Sequence, residues 1–364
     1  MRFIFAGGGT GGHIYPALAV AKEIMTIQPD AEILFVAGTR GIERRIVSDA
    51  GFSLKTIPVI GLPRKVSPAF VLFGWKLMVS VLISRGCLRN FKPSVVLATG
   101  GYVSGPPIIA AHTLGIPVVI QEQNSFPGIT TRKLARYADI VFLGFHDADR
   151  YFRGDVETIV TGNPVRNEIG TGNHETAAAL FGFNPSVKTV LVFGGSQGSR
   201  ALNTVISGTA ERLALKEIQV LWQTGQNEYA TYKRFDGLCD GYIRVFPYLD
   251  DMVSAYAASD LVVSRAGAMT IAEITACGLP AVLIPLPTAA GNHQEHNARS
   301  LESAGAATMI LERDLTSPVL ENEIINIVTS ADILSVKAES SKKLGNKDAA
   351  GVIARMLLER YGMN

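Results

Sequence analysis

Arg2-Phe3-Ile4-Phe5-Ala6-Gly7-Gly8-Gly9-Thr10-Gly11-Gly12-His13 is followed by Ala17-Leu18-Ala19-Val20-Ala21-Lys22-Glu23-Ile24 in helical rhythm. An apolar strand, a turn that needs glycine's backbone freedom and a helix start together aim bare N–H groups at an anion. The same order returns about half a chain later. Thr189-Val190-Leu191-Val192-Phe193 leads into Gly194-Gly195-Ser196-Gln197-Gly198-Ser199 and then Ala201-Leu202-Asn203-Thr204-Val205-Ile206. Two turns of one kind predict an α/β protein made of two Rossmann-like domains with parallel sheets. They also predict a phosphate-bearing ligand lying between those domains.

Global properties agree. At 364 residues, 47% hydrophobic and 18% charged, the chain is long for one core and has the balance of a folded protein. Its three cysteines, Cys87, Cys239 and Cys277, form no C-x-x-C pair, which fits a reducing compartment and neither a zinc ribbon nor a disulfide framework. Glycines interrupt the apolar start by residue 7, so no signal segment is expected and the cytosol is the default.

Short apolar runs alternate with helical patterns, the signature of parallel strands with crossover helices. After the first strand, residues 31–36, 94–98, 117–120 and 140–145 read as strands of the first half. Residues 189–193, 220–224, 243–246, 261–264 and 281–285 read as those of the second. Between the halves lies Thr161-Gly162-Asn163-Pro164-Val165-Arg166, where proline pushes its predecessor out of helical geometry. The expected domains are therefore 1–162 and 163–348, with an apolar-periodic helix near 349–364 packing back on the first.

Net charge is only +2, but residues 1–160 carry +6 and the remainder −4. No Asp or Glu occurs between Asp49 and Glu122, while Lys55, Arg64, Lys65, Lys76, Arg85, Arg89 and Lys92 fall inside that gap. Residues 69–83 are apolar nearly all round but shorter than the ~20 residues of a spanning helix. Two readings stay open: a core helix, or an interfacial element with Phe70, Phe73 and Trp75 toward lipid and Lys65, Lys76, Arg85 and Arg89 toward anionic head groups. With so small a net basicity and no aromatic-interleaved basic motif, no nucleic-acid partner is expected.

Gly7 to Gly12 also fits the dinucleotide pattern G-x-G-x-x-G. A dinucleotide site wants an acid at the end of the second strand, and this one ends Ala37-Gly38-Thr39-Arg40. A third glycine-rich loop, Thr99-Gly100-Gly101-Tyr102-Val103-Ser104-Gly105-Pro106, strengthens the ligand reading over mere close packing. In Ser264-Arg265-Ala266-Gly267-Ala268-Met269-Thr270-Ile271-Ala272-Glu273 a helix opens after Gly267, placing N–H groups for a diphosphate and a carboxylate for two ribose hydroxyls on one helix.

Taken in order, Gly8 to His13, Ala98 to Pro106, Glu122-Gln123-Asn124, Gly162 to Arg166, Gly194 to Gly198 and Arg265 to Ala268 closely resemble the MurG family. These bacterial N-acetylglucosaminyltransferases convert lipid I to lipid II in peptidoglycan synthesis. The resemblance runs from the first residues to the region of Asn297. It implies a GT-B fold, two Rossmann-like domains facing across a cleft, and inverting transfer without a cofactor. UDP-N-acetylglucosamine is the implied donor and undecaprenyl-diphosphate-linked muramyl-pentapeptide the implied acceptor. Thr10, Gly11, Gly12, Asn124, Arg166, Ser196, Ala268, Met269, Thr270, Ile271, Ala272, Glu273 and Gln294 would then line the donor site, with the backbone near Leu249 meeting the uracil. The second domain would hold the nucleotide and the first would meet the lipid. The implied setting is peripheral, on the cytoplasmic face of the membrane, with an anionic lipid surface and other cell-wall enzymes as partners.

The sequence departs from the pattern at Asn292-His293-Gln294-Glu295-His296-Asn297, where only Gln294 and Asn297 carry over; the spacing of His293, Glu295 and His296 on one helix does not make a metal site, and none is expected. The bond to be made needs a base for the attacking hydroxyl and positive dipoles for the departing diphosphate. His13 is the candidate base, since an imidazole can take a proton near neutral pH; its rival role is donating to the acceptor diphosphate. Glu122 is a second acid/base candidate, weighed against a structural carboxylate. Two other classes remain as alternatives: a UDP-N-acetylglucosamine 2-epimerase and a dinucleotide-binding oxidoreductase.

Overall fold

The computed structural model describes residues 1–39, 43–61, 69–152, 154 and 156–362, with backbone alone at 69 and 70. The chain divides into two compact units: Met1–Val165 with the segment from Asp348 onward, and Arg166–Lys347.

In the first unit seven parallel strands form one sheet: β1 (Arg2–Gly7), β2 (Glu32–Gly38), β3 (Ser53–Ile57), β4 (Val95–Gly100), β5 (Val118–Glu122), β6 (Ile140–Leu143) and β7 (Glu157–Val160). Their order is β3-β2-β1-β4-β5-β6-β7, so the winding reverses between β1 and β4. Side chains alternate across the sheet. Phe3 and Phe5 join a core with Ile14, Val20 and Ile24 of the helix Gly11–Ile27 and with Ile353 and Leu357 of the helix Ala349–Tyr361. Ile4 and Ala6 point the other way, into a second core containing Leu88 of the helix Ala69–Phe91 and Ile108 of the helix Gly105–Thr113. Burial on both faces is why β1, β4 and β5 read as unbroken apolar runs.

The second unit repeats the plan with β8 (Thr189–Phe193), β9 (Gln219–Gln223), β10 (Ile243–Phe246), β11 (Leu261–Ser264), β12 (Ala281–Leu283) and β13 (Ala307–Met309), ordered β10-β9-β8-β11-β12-β13. Here the winding reverses between β8 and β11. Val190 and Val192 pack against Leu202 and Ile206 of the helix Arg200–Ser207 and against Leu320 and Ile324 of the helix Ser317–Thr329.

Strands β3, β7 and β13 were not among those expected from the sequence, and all three lie at sheet edges. The helix read over 69–83 runs on to Phe91, 23 residues in all. That corrects the length argument: among the described residues this one helix is long and apolar enough, by length and composition, to cross a membrane. Its buried Ser80, Ser84 and Leu88 tie one side to the unit, while Val71, Leu72, Trp75, Met78 and Leu82 are exposed on the other.

Candidate functional sites

Each unit gathers its glycine loops where the winding reverses, the place where open α/β sheets bind ligands. In the first unit the turn after β1 meets the turn after β4. Thr99 Oγ1 donates to the His13 carbonyl at 2.7 Å. Ser104 Oγ shares its one proton between the carbonyls of Ala6, at 3.0 Å, and Gly100, at 2.6 Å, which staples the two strand ends together. Gly100 and Gly101 have φ of 99° and 75°, and a Cβ on Gly101 would drive into the Gly8 carbonyl. Backbone and the His13 ring occupy that space: a Cβ on Gly100 would stand 3.1 Å from His13 Nδ1.

His13 has a defined tautomer in this arrangement. Gln123 Nε2 donates to Thr99 O at 2.8 Å and Gln121 O at 2.9 Å, which turns its Oε1 toward His13 Nδ1, 2.8 Å away. An amide oxygen only accepts, so Nδ1 carries the proton and neutral His13 keeps its lone pair on Nε2. The ring is half-buried at the start of the helix Gly11–Ile27, beside the exposed Thr10 and Gly12 and the half-buried Gly11. Buried Glu122 organises the neighbouring loop: Oε1 accepts from the N–H of Asn124 at 3.0 Å and from its Nδ2 at 3.1 Å, and Oε2 accepts from Gly128 N–H at 3.4 Å. With both oxygens occupied by the loop, its geometry is that of a structural carboxylate.

One residue of this site escaped the sequence reading. Glu43, 1% exposed, accepts the N–H of Gly9 on one carboxylate oxygen and buries the other without a hydrogen-bond partner among the described residues. It follows β2 by only a few residues, so the acid sought at that strand end does exist. It turns inward under the glycine loop, where Gly9 N–H takes one of its oxygens.

In the second unit Arg265, 9% exposed, holds the loops after β8 and β12 and the segment near Glu312. It donates to Ser199 Oγ at 2.8 Å, to Ile284 O at 3.3 Å and to Pro285 O at 3.2 Å, and it pairs with Glu312. The sequence reading gave it no role, although a buried arginine after a strand is itself a signal. Gln223 likewise links two loops, donating to Gly195 O at 3.0 Å and accepting the Leu249 N–H at 2.9 Å. The Leu249 N–H is therefore engaged within the protein. Gln294 Oε1 accepts from Ala266 N–H at 3.2 Å and Leu286 N–H at 3.0 Å.

The helix Ala268–Cys277 begins directly after β11, and its first intrahelical donor is Ile271, bonded to Gly267 O at 2.9 Å. Ala268, Met269 and Thr270 thus supply the first-turn N–H groups that an anion can take. Ile271 is not available in the expected way, because its N–H is used and its side chain, 2% exposed, packs in the core. Two turns along, the half-buried Glu273 accepts from the Tyr256 hydroxyl at 3.0 Å and faces Arg166 at 3.7 Å. Burial pushes its carboxyl above the usual range, opposed by Arg166 and the tyrosine. Burial and the adjoining Glu273 push Tyr256 well up. Ser196 is exposed on the loop after β8. Glu295 is taken up by Asn292 at 2.6 Å and Arg299 at 2.6 Å, and His293 Nδ1 lies 2.7 Å from the Ala290 carbonyl; among the described residues no three His, Cys, Asp or Glu side chains form a metal-binding group.

The expected donor residues thus divide between the units, with Thr10, Gly11, Gly12 and Asn124 in the first and the rest in the second. Of the membrane-facing set, Trp75 is 61% exposed, Arg89 is exposed, and Phe73, Lys76 and Arg85 are half-buried, Arg85 donating to Thr113 at 3.2 Å. Lys65 and the Phe70 side chain lie outside the described residues.

Paired Rossmann-like units, each with glycine loops and a helix start at its switch point, make the GT-B architecture. Residues 3–143 match the glycosyltransferase family 28 N-terminal domain, and residues 189–353 match the family 28 C-terminal domain. The chain is 41% identical over 362 residues to the UDP-N-acetylglucosamine--N-acetylmuramyl-(pentapeptide) pyrophosphoryl-undecaprenol N-acetylglucosamine transferase of Thermoanaerobacter sp. (strain X514), covering 98% of this chain and 99% of that one. The transferase of the same name from Desulfitobacterium hafniense (strain DSM 10664 / DCB-2) is 42% identical, covering 99% of both. The crystal structure of Acinetobacter baumannii MurG superposes with a TM-score of 0.76 at 29% identity, covering 98% of this chain and 99% of that chain. The chain belongs to this MurG family of N-acetylglucosamine transferases. A UDP-N-acetylglucosamine 2-epimerase from Neisseria meningitidis, bound to UDP-N-acetylglucosamine, has a TM-score of 0.69 at 16% identity over 98% of this chain and 99% of that one, and so shares the fold alone.

Proposed function

We propose that this glycosyltransferase moves N-acetylglucosamine from UDP-N-acetylglucosamine to the muramyl C4 hydroxyl of undecaprenyl-diphosphate-linked muramyl-pentapeptide, inverting the anomeric centre. The carrying observation is full-length similarity to transferases bearing that name. In the reaction the muramyl O4 attacks C1 of the sugar, the C1–O bond to UDP breaks, and the hydroxyl proton passes to His13 Nε2. The tautomer set by Gln123 supports that assignment, because the lone pair sits on the nitrogen that no described residue engages. First-turn N–H groups at Ala268, Met269 and Thr270 take the charge that develops on the departing diphosphate. Glu273, steadied by Tyr256 and Arg166, accepts from the ribose hydroxyls.

The exposed apolar row of the helix Ala69–Phe91, with Lys76 and Arg89 beside it, supports peripheral association with an anionic membrane surface on the cytoplasmic side. Purified protein given radiolabelled UDP-N-acetylglucosamine and a lipid I analogue is expected to yield labelled lipid. Epimerisation of the free UDP-sugar with no labelled lipid overturns the reading in favour of the epimerase.

A further inference from the structure

The first unit holds a cavity of about 270 Å³ that none of the reactions above requires. Its lining is apolar and comes from three helices and two loops. Phe73 and Leu77 of the helix Ala69–Phe91 form one wall, Ile109 of the helix Gly105–Thr113 and Leu134 of the helix Ile129–Leu134 form another, and Tyr102 closes the end nearest the glycine loops. The Tyr102 ring lies against Gly9, where a Cβ would come within 3.3 Å of it. The cavity therefore shares a wall with the loop pair that presents the helix start at Thr10, Gly11 and Gly12. Among the described residues Lys133 is the one charged side chain in the lining. The helix that supplies Phe73 and Leu77 also carries the exposed Val71, Leu72 and Trp75.

An apolar cavity that shares a wall with an anion-binding turn, and that is walled on another side by a helix with an outward apolar row, fits a ligand built the same way, an anionic head with a hydrocarbon chain attached directly to it. We propose that this cavity binds the isoprene units nearest the diphosphate of a polyprenyl-diphosphate acceptor. Tyr102, against Gly9, marks the join between head and chain, and Lys133 brings a positive charge to the lining. The proposal rests on the acceptor reading above and adds a subsite to it. A bilayer acyl chain, the competing occupant, is joined to its head group through glycerol and brings no diphosphate to the adjoining glycine loops.

The test uses two soluble acceptors with the same muramyl-pentapeptide diphosphate head, one esterified with methyl and one with geranyl, both below their micelle concentrations. For the unaltered protein the KM of the geranyl acceptor is expected to be at least about tenfold lower, which burial of two methylene groups suffices to supply. Ile109→Trp, which fills the cavity from within, and Thr130→Trp, at its half-buried rim, should each raise the geranyl KM to the methyl value. Both should leave methyl-acceptor kinetics, the KM for UDP-N-acetylglucosamine and vesicle binding unchanged, which also shows that the variants fold. Equal KM values for the two acceptors with the unaltered protein, or variants that keep the geranyl advantage, overturn the subsite alone. Loss of vesicle binding in the filled variants assigns the cavity to a bilayer acyl chain and overturns it as well. No transfer to either acceptor overturns the acceptor reading and the subsite with it.

Discussion

Gln123 decides what His13 can do, and the distinction between its two roles is measurable. His13→Gln keeps a hydrogen-bond donor but has no basic nitrogen. If His13 is the base, kcat falls by about 10²–10⁴ with little change in acceptor KM, since that is the usual weight of general base catalysis. A rise in acceptor KM at nearly constant kcat would assign the residue to the acceptor diphosphate instead. Glu273 gives a second residue-scale expectation. Burial raises its carboxyl above the ordinary 4.5, so ionisation needed to accept from ribose is lost on acidification sooner than for an exposed glutamate. Donor affinity measured by titration should weaken as pH falls through that raised value. For folding the sign is opposite: the native state holds the proton more tightly than the unfolded chain, so this group's contribution declines as pH rises from 4.5 through the raised value. Glu273→Gln should flatten both dependences. Glu273→Ala should weaken donor binding tenfold or more at neutral pH, from about 1.5–3 kcal/mol per charged hydrogen bond; unchanged affinity refutes the ribose assignment.

The element that matters most beyond the two sites is the helix Ala69–Phe91. Its buried Ser80, Ser84 and Leu88 recur every fourth residue, one side of a helix, while Leu72, Trp75, Met78 and Leu82 lie on another. An ordinary surface helix turns its polar side out; this one turns apolar groups out on both flanks of its attachment, which is why sequence patterning left core and interface readings open. Changing Lys65, Lys76, Arg85 and Arg89 to Gln is expected to reduce sedimentation with anionic vesicles and activity on a long-chain acceptor. Affinity for UDP-N-acetylglucosamine and turnover of a short acceptor should survive. Binding by the unaltered protein should fall as salt rises, since charge attraction at a surface is screened within about 10 Å at 0.1 M. Equal vesicle binding by variant and parent returns the helix to a packing role.

At the scale of the whole molecule, the chain's last helix belongs to the unit that its first strand begins. Ala350, Ile353, Ala354 and Leu357 are at most 1% exposed in the core shared with the helix Gly11–Ile27. Ending the chain at Lys347 removes that layer. Loss of Ile353 and Leu357 alone costs about 4–10 kcal/mol at 2–5 each, comparable with the 5–15 that hold a typical domain together. The truncated protein is expected to lose the cooperative unfolding transition of the first unit while the Arg166–Lys347 unit still melts cooperatively. A calorimetric trace with both transitions intact would show the helix to be dispensable.

The central strands, the two glycine turns and the tandem Rossmann-like plan were legible in the sequence because they are local: strands buried on both faces must be apolar throughout, and a strand-to-helix turn of this kind needs glycine in consecutive positions. The edge strands were not. Ser53–Ile57 and Glu157–Val160 expose part of their length and carry polar residues, and Ala307–Met309 is too short to show a period, so pairing with an inner neighbour is what makes each a strand. The same holds at the sites. His13 stands out in the sequence, but its tautomer depends on Gln123, 110 residues away, and Glu43 gains meaning only when β2 lies beside β1 and brings its carboxylate under Gly9. Motif and burial pattern are properties of neighbouring residues, whereas a hydrogen-bond partner on another strand exists only once the sheet has formed.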